Sequence, residues 1–138
     1  MIVLDTNVLS ELIKVSPSPQ VVDWWNSHPE AELYLTSITQ AEILVGIELL
    51  PKGKRRAAIE QAAEATFRED FAGRILPFDS DAAREFARIT AARRKLGRPI
   101  SQPDAQIAAI ARACGAALAT RNTGDFEHCG VKVVNPWA

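Results

Sequence analysis

Short, continuously apolar runs alternate along this chain with longer stretches in which apolar residues recur every three or four positions. The first kind of run predicts buried strands and the second predicts helices with one face in a core. Ile2-Val3-Leu4 is the first strand, and Asp5 with Thr6 supplies an N-cap for a helix through about Lys14. Pro17 and Pro19 break the chain, and Val21, Val22, Trp24 and Trp25 predict a short helix ending near His28-Pro29. Leu33-Tyr34-Leu35-Thr36 reads as the second strand. Ile38, Ala41, Val45, Ile47 and Leu49 then suit a largely buried helix over 38–50, stopped by Pro51.

An Ala- and Glu-rich helix is expected from Lys54 to Asp70, followed by a short strand in Gly73-Arg74-Ile75-Leu76-Pro77. Asp79 or Ser80 caps the next helix, in which Ala82, Phe86, Ile89 and Leu96 share a face before Gly97 ends it. Ser101-Gln102-Pro103-Asp104 opens another, running from Ala105 to Cys114 with Gly115 as its stop. Ala116 to Thr120 and Val131 to Val134 are the last two strands. Strands alternating with helices predict a three-layer α/β/α sandwich on a mainly parallel sheet, and no repeat or linker interrupts a single domain over 1–138.

That topology directs attention to one rim. Open α/β sheets bind ligands at the carboxyl ends of their strands. Asp5 follows the first strand, Glu42 lies early in the helix leaving the second, and Asp125 sits in the connection after Ala116–Thr120. The helix carrying Asp104 runs antiparallel to the strand it feeds. About 20 Å of helix matches about 16 Å of strand closely enough to bring Asp104 level with the turn at 120–125. Two carboxylates 4 Å apart repel by about 4 kcal/mol at an effective dielectric of 20, so four in one pocket take up protons or bind a cation. An all-oxygen set selects magnesium or manganese, and His28, His128, Cys114 and Cys129 do not make a zinc set. Such an ion activates water and neutralises charge on a phosphate, as phosphodiester hydrolysis requires.

Each acid also has a purely structural reading. Asp5 serves as an N-cap, Glu42 closes a capping box with Thr39, Asp104 answers the helix dipole beside Ser101, and Asp125 is a turn residue. Against this for Glu42 stands its stripe with Ile38, Val45 and Leu49, where an unpaired carboxylate is costly.

Composition narrows the class further. The 16 Lys and Arg against 17 Asp and Glu leave a net charge of −1, so only local basic runs, Lys52-Lys54-Arg55-Arg56 and Arg93-Arg94-Lys95-Arg98, offer phosphate contacts. These runs read equally as solvated helix ends. No apolar run approaches a bilayer span and no basic leader precedes the first strand, which predicts a cytoplasmic protein without a membrane partner. The two cysteines read as small hydrophobes, and the tryptophans as packing or interface residues.

The motifs Leu4-Asp5-Thr6-Asn7-Val8-Leu9, Ala41-Glu42-Ile43-Leu44-Val45-Gly46, Pro103-Asp104-Ala105-Gln106-Ile107-Ala108-Ala109 and Thr120-Arg121-Asn122-Thr123-Gly124-Asp125-Phe126 occur in this order. Together with Val134-Asn135-Pro136-Trp137 they make the chain resemble the PIN-domain ribonucleases, in particular VapC-type toxins of toxin–antitoxin pairs and their FitB-like subgroup. The resemblance implies a magnesium- or manganese-dependent endoribonuclease that forms a homodimer. It implies a cognate antitoxin that inhibits it, often by sending an arginine into the acidic pocket, and operator DNA bound only through that antitoxin. By position it makes Asp5, Glu42, Asp104 and Asp125 the metal ligands, with Thr6, Thr120 and Asn122 in support and Asn122 able to take the role of Asp125. Two other readings stand beside it. One is a phosphohydrolase of the haloacid dehalogenase type with Asp5 as nucleophile, where Asn7 occupies the place of a second acid. The other is a non-catalytic nucleic-acid or protein-interaction module.

Overall fold

The computed structural model describes residues 1–138 in full. Five strands, β1 (Ile2–Leu4), β2 (Leu33–Thr36), β3 (Ile75–Leu76), β4 (Ala117–Ala119) and β5 (Val133–Val134), form one sheet in the order β3-β2-β1-β4-β5. All four pairings are parallel, with Val3 opposite both Tyr34 and Leu118, Leu35 opposite Ile75, and Leu118 opposite Val133. Six helices connect and cover them: α1 (Thr6–Leu12), α2 (Pro19–Asn26), α3 (Ser37–Glu48), α4 (Lys54–Ala65), α5 (Ser80–Lys95) and α6 (Gln102–Ala113). None is long and apolar enough to cross a membrane.

Alternation along the strands divides the interior between the two faces of the sheet. Leu4, Leu33, Leu35 and Ala119 pack with Val8, Leu9, Val21, Ile47, Ala63 and Phe67 on one side. Val3, Leu118 and Ala116 pack with Ile89, Ile107, Ala108 and Phe126 on the other. Two cores back to back are the physical content of the three-layer expectation. They also explain why β1 is apolar at every position: it is buried from both sides.

Caps and stops fall where the sequence puts them. Asp79 accepts from the Ala82 amide at 2.9 Å and Ser101 Oγ from the Asp104 amide at 3.3 Å. Gly97 and Gly115 end α5 and α6 at φ 70° and 65°, the left-handed conformation that favours glycine. The helix expected over 54–70 is α4 followed by a π turn at Thr66–Asp70, which aims Phe67 and Phe71 into the core.

Two expectations change. The helix predicted to be largely buried, α3, sends Ile38, Ile43 and Ile47 into the cores but leaves Leu44, Val45 and Leu49 at 38, 57 and 80% exposure, so part of its apolar surface faces outward. The helix also begins earlier, capped by Thr36 through the Thr39 amide at 3.1 Å. That places Thr39 in the first turn and Glu42 in the second, which rules out a capping box between them and leaves Glu42 exposed rather than stranded in a core.

Three arginines of the two basic runs are engaged within the fold. Arg56 pairs with Glu60 at 2.7 Å and Glu48 at 3.0 Å, and Arg98 with Glu127 at 2.9 Å. Arg93 is buried and donates to the carbonyls of Arg98, Asp125 and Glu127 at 2.7, 2.8 and 3.0 Å. It therefore ties the end of α5 to the turn after β4. Because those carbonyls have no other donor of that strength, Arg93→Met is expected to cost roughly 3 kcal/mol in a urea melt. A loss below about 1 kcal/mol would show that the turn holds itself.

Candidate active site

Strand order reverses between β1 and β4, where the chain leaves the sheet toward opposite edges and a crevice opens at the carboxyl ends. Asp5 follows β1 and Thr120 follows β4, and they meet across that crevice: Thr120 Oγ1 donates to Asp5 Oδ2 at 2.8 Å. The Asp5 amide donates to the Ala119 carbonyl at 2.8 Å, so main chain and side chain are fixed by the same strand. Asp5 Oδ1 accepts from the Thr6 amide at 2.8 Å, and Asn7 Nδ2 lies 3.3 Å from Asp5 Oδ2. A buried carboxylate held by neutral donors alone keeps its full charge in a poorly solvating place.

The other acids reach the same crevice from different elements. Thr6 Oγ1 donates to Glu42 Oε1 at 2.7 Å and lies 2.9 Å from Thr39 Oγ1, which ties α1 to α3. Asp104 enters from the first turn of α6. Asp5, Glu42 and Asp104 all line one open cleft of about 440 Å³, together with Thr6 and Asn122. Thr120 is buried beneath it, where its hydroxyl also accepts from the Asn122 amide at 3.1 Å. Asp125 does not line the cleft; it is exposed in the Thr123–Phe126 turn, near enough for its charge to act on Asp104.

Electrostatics mark the cleft as deficient in positive charge. None of Asp5, Glu42, Asp104 and Asp125 joins any of the eight ion pairs in the molecule. Burial, with smaller contributions from the charges of Asp104 and Glu42, raises the Asp5 carboxyl to about 6 against the lowering effect of Thr120 and the Thr6 amide. Asp104 is raised as well, first by burial and then by Asp125 and Glu42, with Ser101 and Arg93 opposing. No three acidic, histidine or cysteine side chains stand close enough to hold one ion directly. Oxygen ligands spaced this way fit a hydrated ion of the magnesium type, which binds through one or two carboxylates and keeps several waters.

Several lining residues escaped the sequence reading. Asn7, Ser10, Glu11 and Lys14 form one wall, and their spacings of three, four and seven put them on a single face of α1 and its C-terminal turn. That polar stripe was present in the sequence beside the apolar one. Arg121 and Trp137 also line the cleft, with the guanidinium 5.2 Å from the ring centre, a pairing that only the tertiary structure creates.

The Asp5 shift has a definite sign. Its folded value, about 6, exceeds the ordinary 3.8, so between about pH 4 and 6 the folded chain holds a proton that the unfolded chain releases. Stability is therefore expected to fall as pH rises through that window in metal-free buffer and then level, by at most roughly 3 kcal/mol at 1.36 kcal/mol per pH unit. Asp104→Asn, which removes a neighbouring charge, is expected to raise the melting temperature above pH 6 without metal. An unchanged or lower value in thermal melts with EDTA would speak against mutual repulsion.

Comparison with known proteins agrees with this architecture. The family model described as PIN domain matches residues 2–132. The chain is similar to the VapC ribonuclease Y4jK of Sinorhizobium fredii, at 44% identity covering 99% of this chain and 98% of that protein. It is similar to toxin FitB of Neisseria gonorrhoeae, at 41% identity and 99% of both. The solved structure of FitAB bound to an IR36 DNA fragment superposes with a TM-score of 0.94 at 40% identity, over 100% of this chain and 96% of that one. With a family match over nearly its whole length and relatives this alike end to end, the chain belongs to the PIN-domain family, alongside VapC ribonucleases and the FitB toxin.

Proposed function

We propose that residues 1–138 act as one nuclease unit, a magnesium- or manganese-dependent endoribonuclease and the toxin of a cytoplasmic toxin–antitoxin pair. The observation that carries this reading is the cleft itself, with Asp5 buried and four acids free of any cationic partner. Asp5, Glu42 and Asp104 are proposed to hold the ion, one or two of them directly and the rest through its waters, with Asp125 or Asn122 completing the set: Asn122 lines the cleft, while Asp125 does not. A bound ion supplies a more acidic water and positive charge toward a phosphate oxygen.

The chain's own residues prepare that chemistry. Thr120, the Thr6 amide and Asn7 orient Asp5, and Thr6 aims Glu42. With its carboxyl near 6, Asp5 is mostly ionised at neutral pH and available to a cation. The relatives named as ribonucleases and toxins support RNA as substrate, and the FitAB complex supports an antitoxin as partner with operator DNA bound through it. An antitoxin arginine would find unpaired carboxylates to accept it in bidentate fashion. The outward stripe of Leu44, Val45 and Leu49 supports a homodimer.

Two measurements test this. Purified protein is expected to cut single-stranded or structured RNA only with magnesium or manganese, and Asp5→Asn or Glu42→Gln to lower kcat by about a hundredfold or more. Metal-independent cleavage, a trapped aspartyl phosphate, or RNA binding without turnover would each overturn the nuclease reading. In light scattering the wild type is expected as a dimer and Val45→Glu/Leu49→Glu as a monomer with unchanged circular dichroism. A double variant that stays dimeric would move the interface elsewhere.

A further inference from the structure

Arg121 is the one feature of the cleft that the metal-centred reading leaves without a task. Its guanidinium lies over the Trp137 ring, 5.2 Å from the centre, and that indole packs in turn against the core on the α1 side of the sheet. Its amide donates to Asn7 Oδ1 at 3.3 Å, and its neighbour Thr120 is locked to Asp5. Arg121 is therefore held at both ends, by main chain to the acid site and by side chain to an aromatic ring packed against the core.

Despite acids in the same cleft, Arg121 joins no ion pair. Glu11, whose charge it feels, is already held by Lys14 Nζ at 3.0 Å and the Ser18 amide at 3.0 Å. Lys14 is thereby occupied as well, which leaves Arg121 as the cleft's unpaired cation. A guanidinium over an indole is attracted by the ring's negative face, and its five N–H donors form a fork suited to two oxygens of a phosphate. A cation here repels a metal ion, so it does not serve the metal. The acid cluster would repel an acidic peptide, whereas a nucleic-acid strand whose scissile phosphate would be neutralised by a cation held at the carboxylates could present its next phosphate to Arg121.

We infer that Arg121, held over Trp137, grips a non-scissile backbone phosphate of single-stranded RNA adjacent to the cleavage point. The inference rests on the ribonuclease reading and adds to it a substrate-positioning residue in the same cleft as the acids. A residue of this kind contributes to binding in the ground and transition states alike, so its loss raises KM and leaves kcat nearly unchanged.

The test measures binding of a fluorescein-labelled single-stranded RNA by anisotropy against salt concentration, in an Asp104→Asn background that prevents turnover, and then kcat and KM with Asp104 intact. Arg121→Gln is expected to weaken binding about tenfold and to lower the slope of log affinity against log salt by about 0.7, one phosphate contact on a single strand. KM should rise by a similar factor with kcat within about twofold. Arg121→Lys should keep the salt slope while losing part of the affinity, because the charge stays and the fork does not. Trp137→Leu should do likewise, since it removes only the platform. A thermal melt of each variant separates loss of contact from loss of fold. Wild-type binding with an unaltered slope in Arg121→Gln would overturn this inference alone, as would a large fall in kcat at constant KM, which would place Arg121 at the scissile phosphate. No salt-dependent RNA binding by the wild type would overturn the ribonuclease reading and the inference with it.

Discussion

The constraint on which the rest of this molecule depends is a carboxylate that must be held in place without a counter-charge. Asp5 is buried at the point where the strand order reverses, and every group that touches it is a neutral donor: a hydroxyl, an amide of the main chain and a side-chain amide. Neutral donors orient an anion without cancelling it. A lysine at the same distance would have satisfied Asp5 and closed the site. The penalty for leaving it open is borne by the two packed cores on either side of β1, which hold the strand end wherever the acid prefers to be.

From that point the layout of the cleft follows. Thr6 is adjacent to Asp5 in sequence, and its hydroxyl reaches Glu42, so one residue couples the first strand's end to the second helix of the sheet rim. Thr120 does the same from β4 and passes the constraint to Asn122 and Arg121 on the next residues. Arg93 reaches the same turn from behind, and its charge also acts on Asp104. The acids thus sit on four separate elements, and small hydroxyl side chains between them set their spacing.

Surface and cleft divide the remaining polarity. Most arginines are paired on helix surfaces, where such contacts contribute little to stability. Among the groups that join no ion pair, Asp5, Glu42, Asp104 and Arg121 gather in one cleft. The exposed Leu44, Val45 and Leu49 mark a different surface, where one edge of a helix whose Ile47 is buried finds nothing within its own chain to cover it. Family membership is consistent with both features, and neither depends on it.

Much of this was legible in the linear chain. Strand and helix alternation, the caps at Asp79 and Ser101, the glycine stops and the parallel sheet follow from local sterics and periodicity, which act over a few residues and are written in the order of side chains. The convergence of Asp5, Glu42 and Asp104 was legible too, because parallel topology delivers every strand's carboxyl end to one rim. What only the folded chain decided involves distances between elements: that Asp125 falls outside the cleft, that α3 turns part of its apolar surface to solvent, that Arg93 is buried and that Arg121 rests on Trp137. Periodicity says which residues share a face but not what that face meets, since the meeting is set by how two cores of unequal shape close on a twisted sheet.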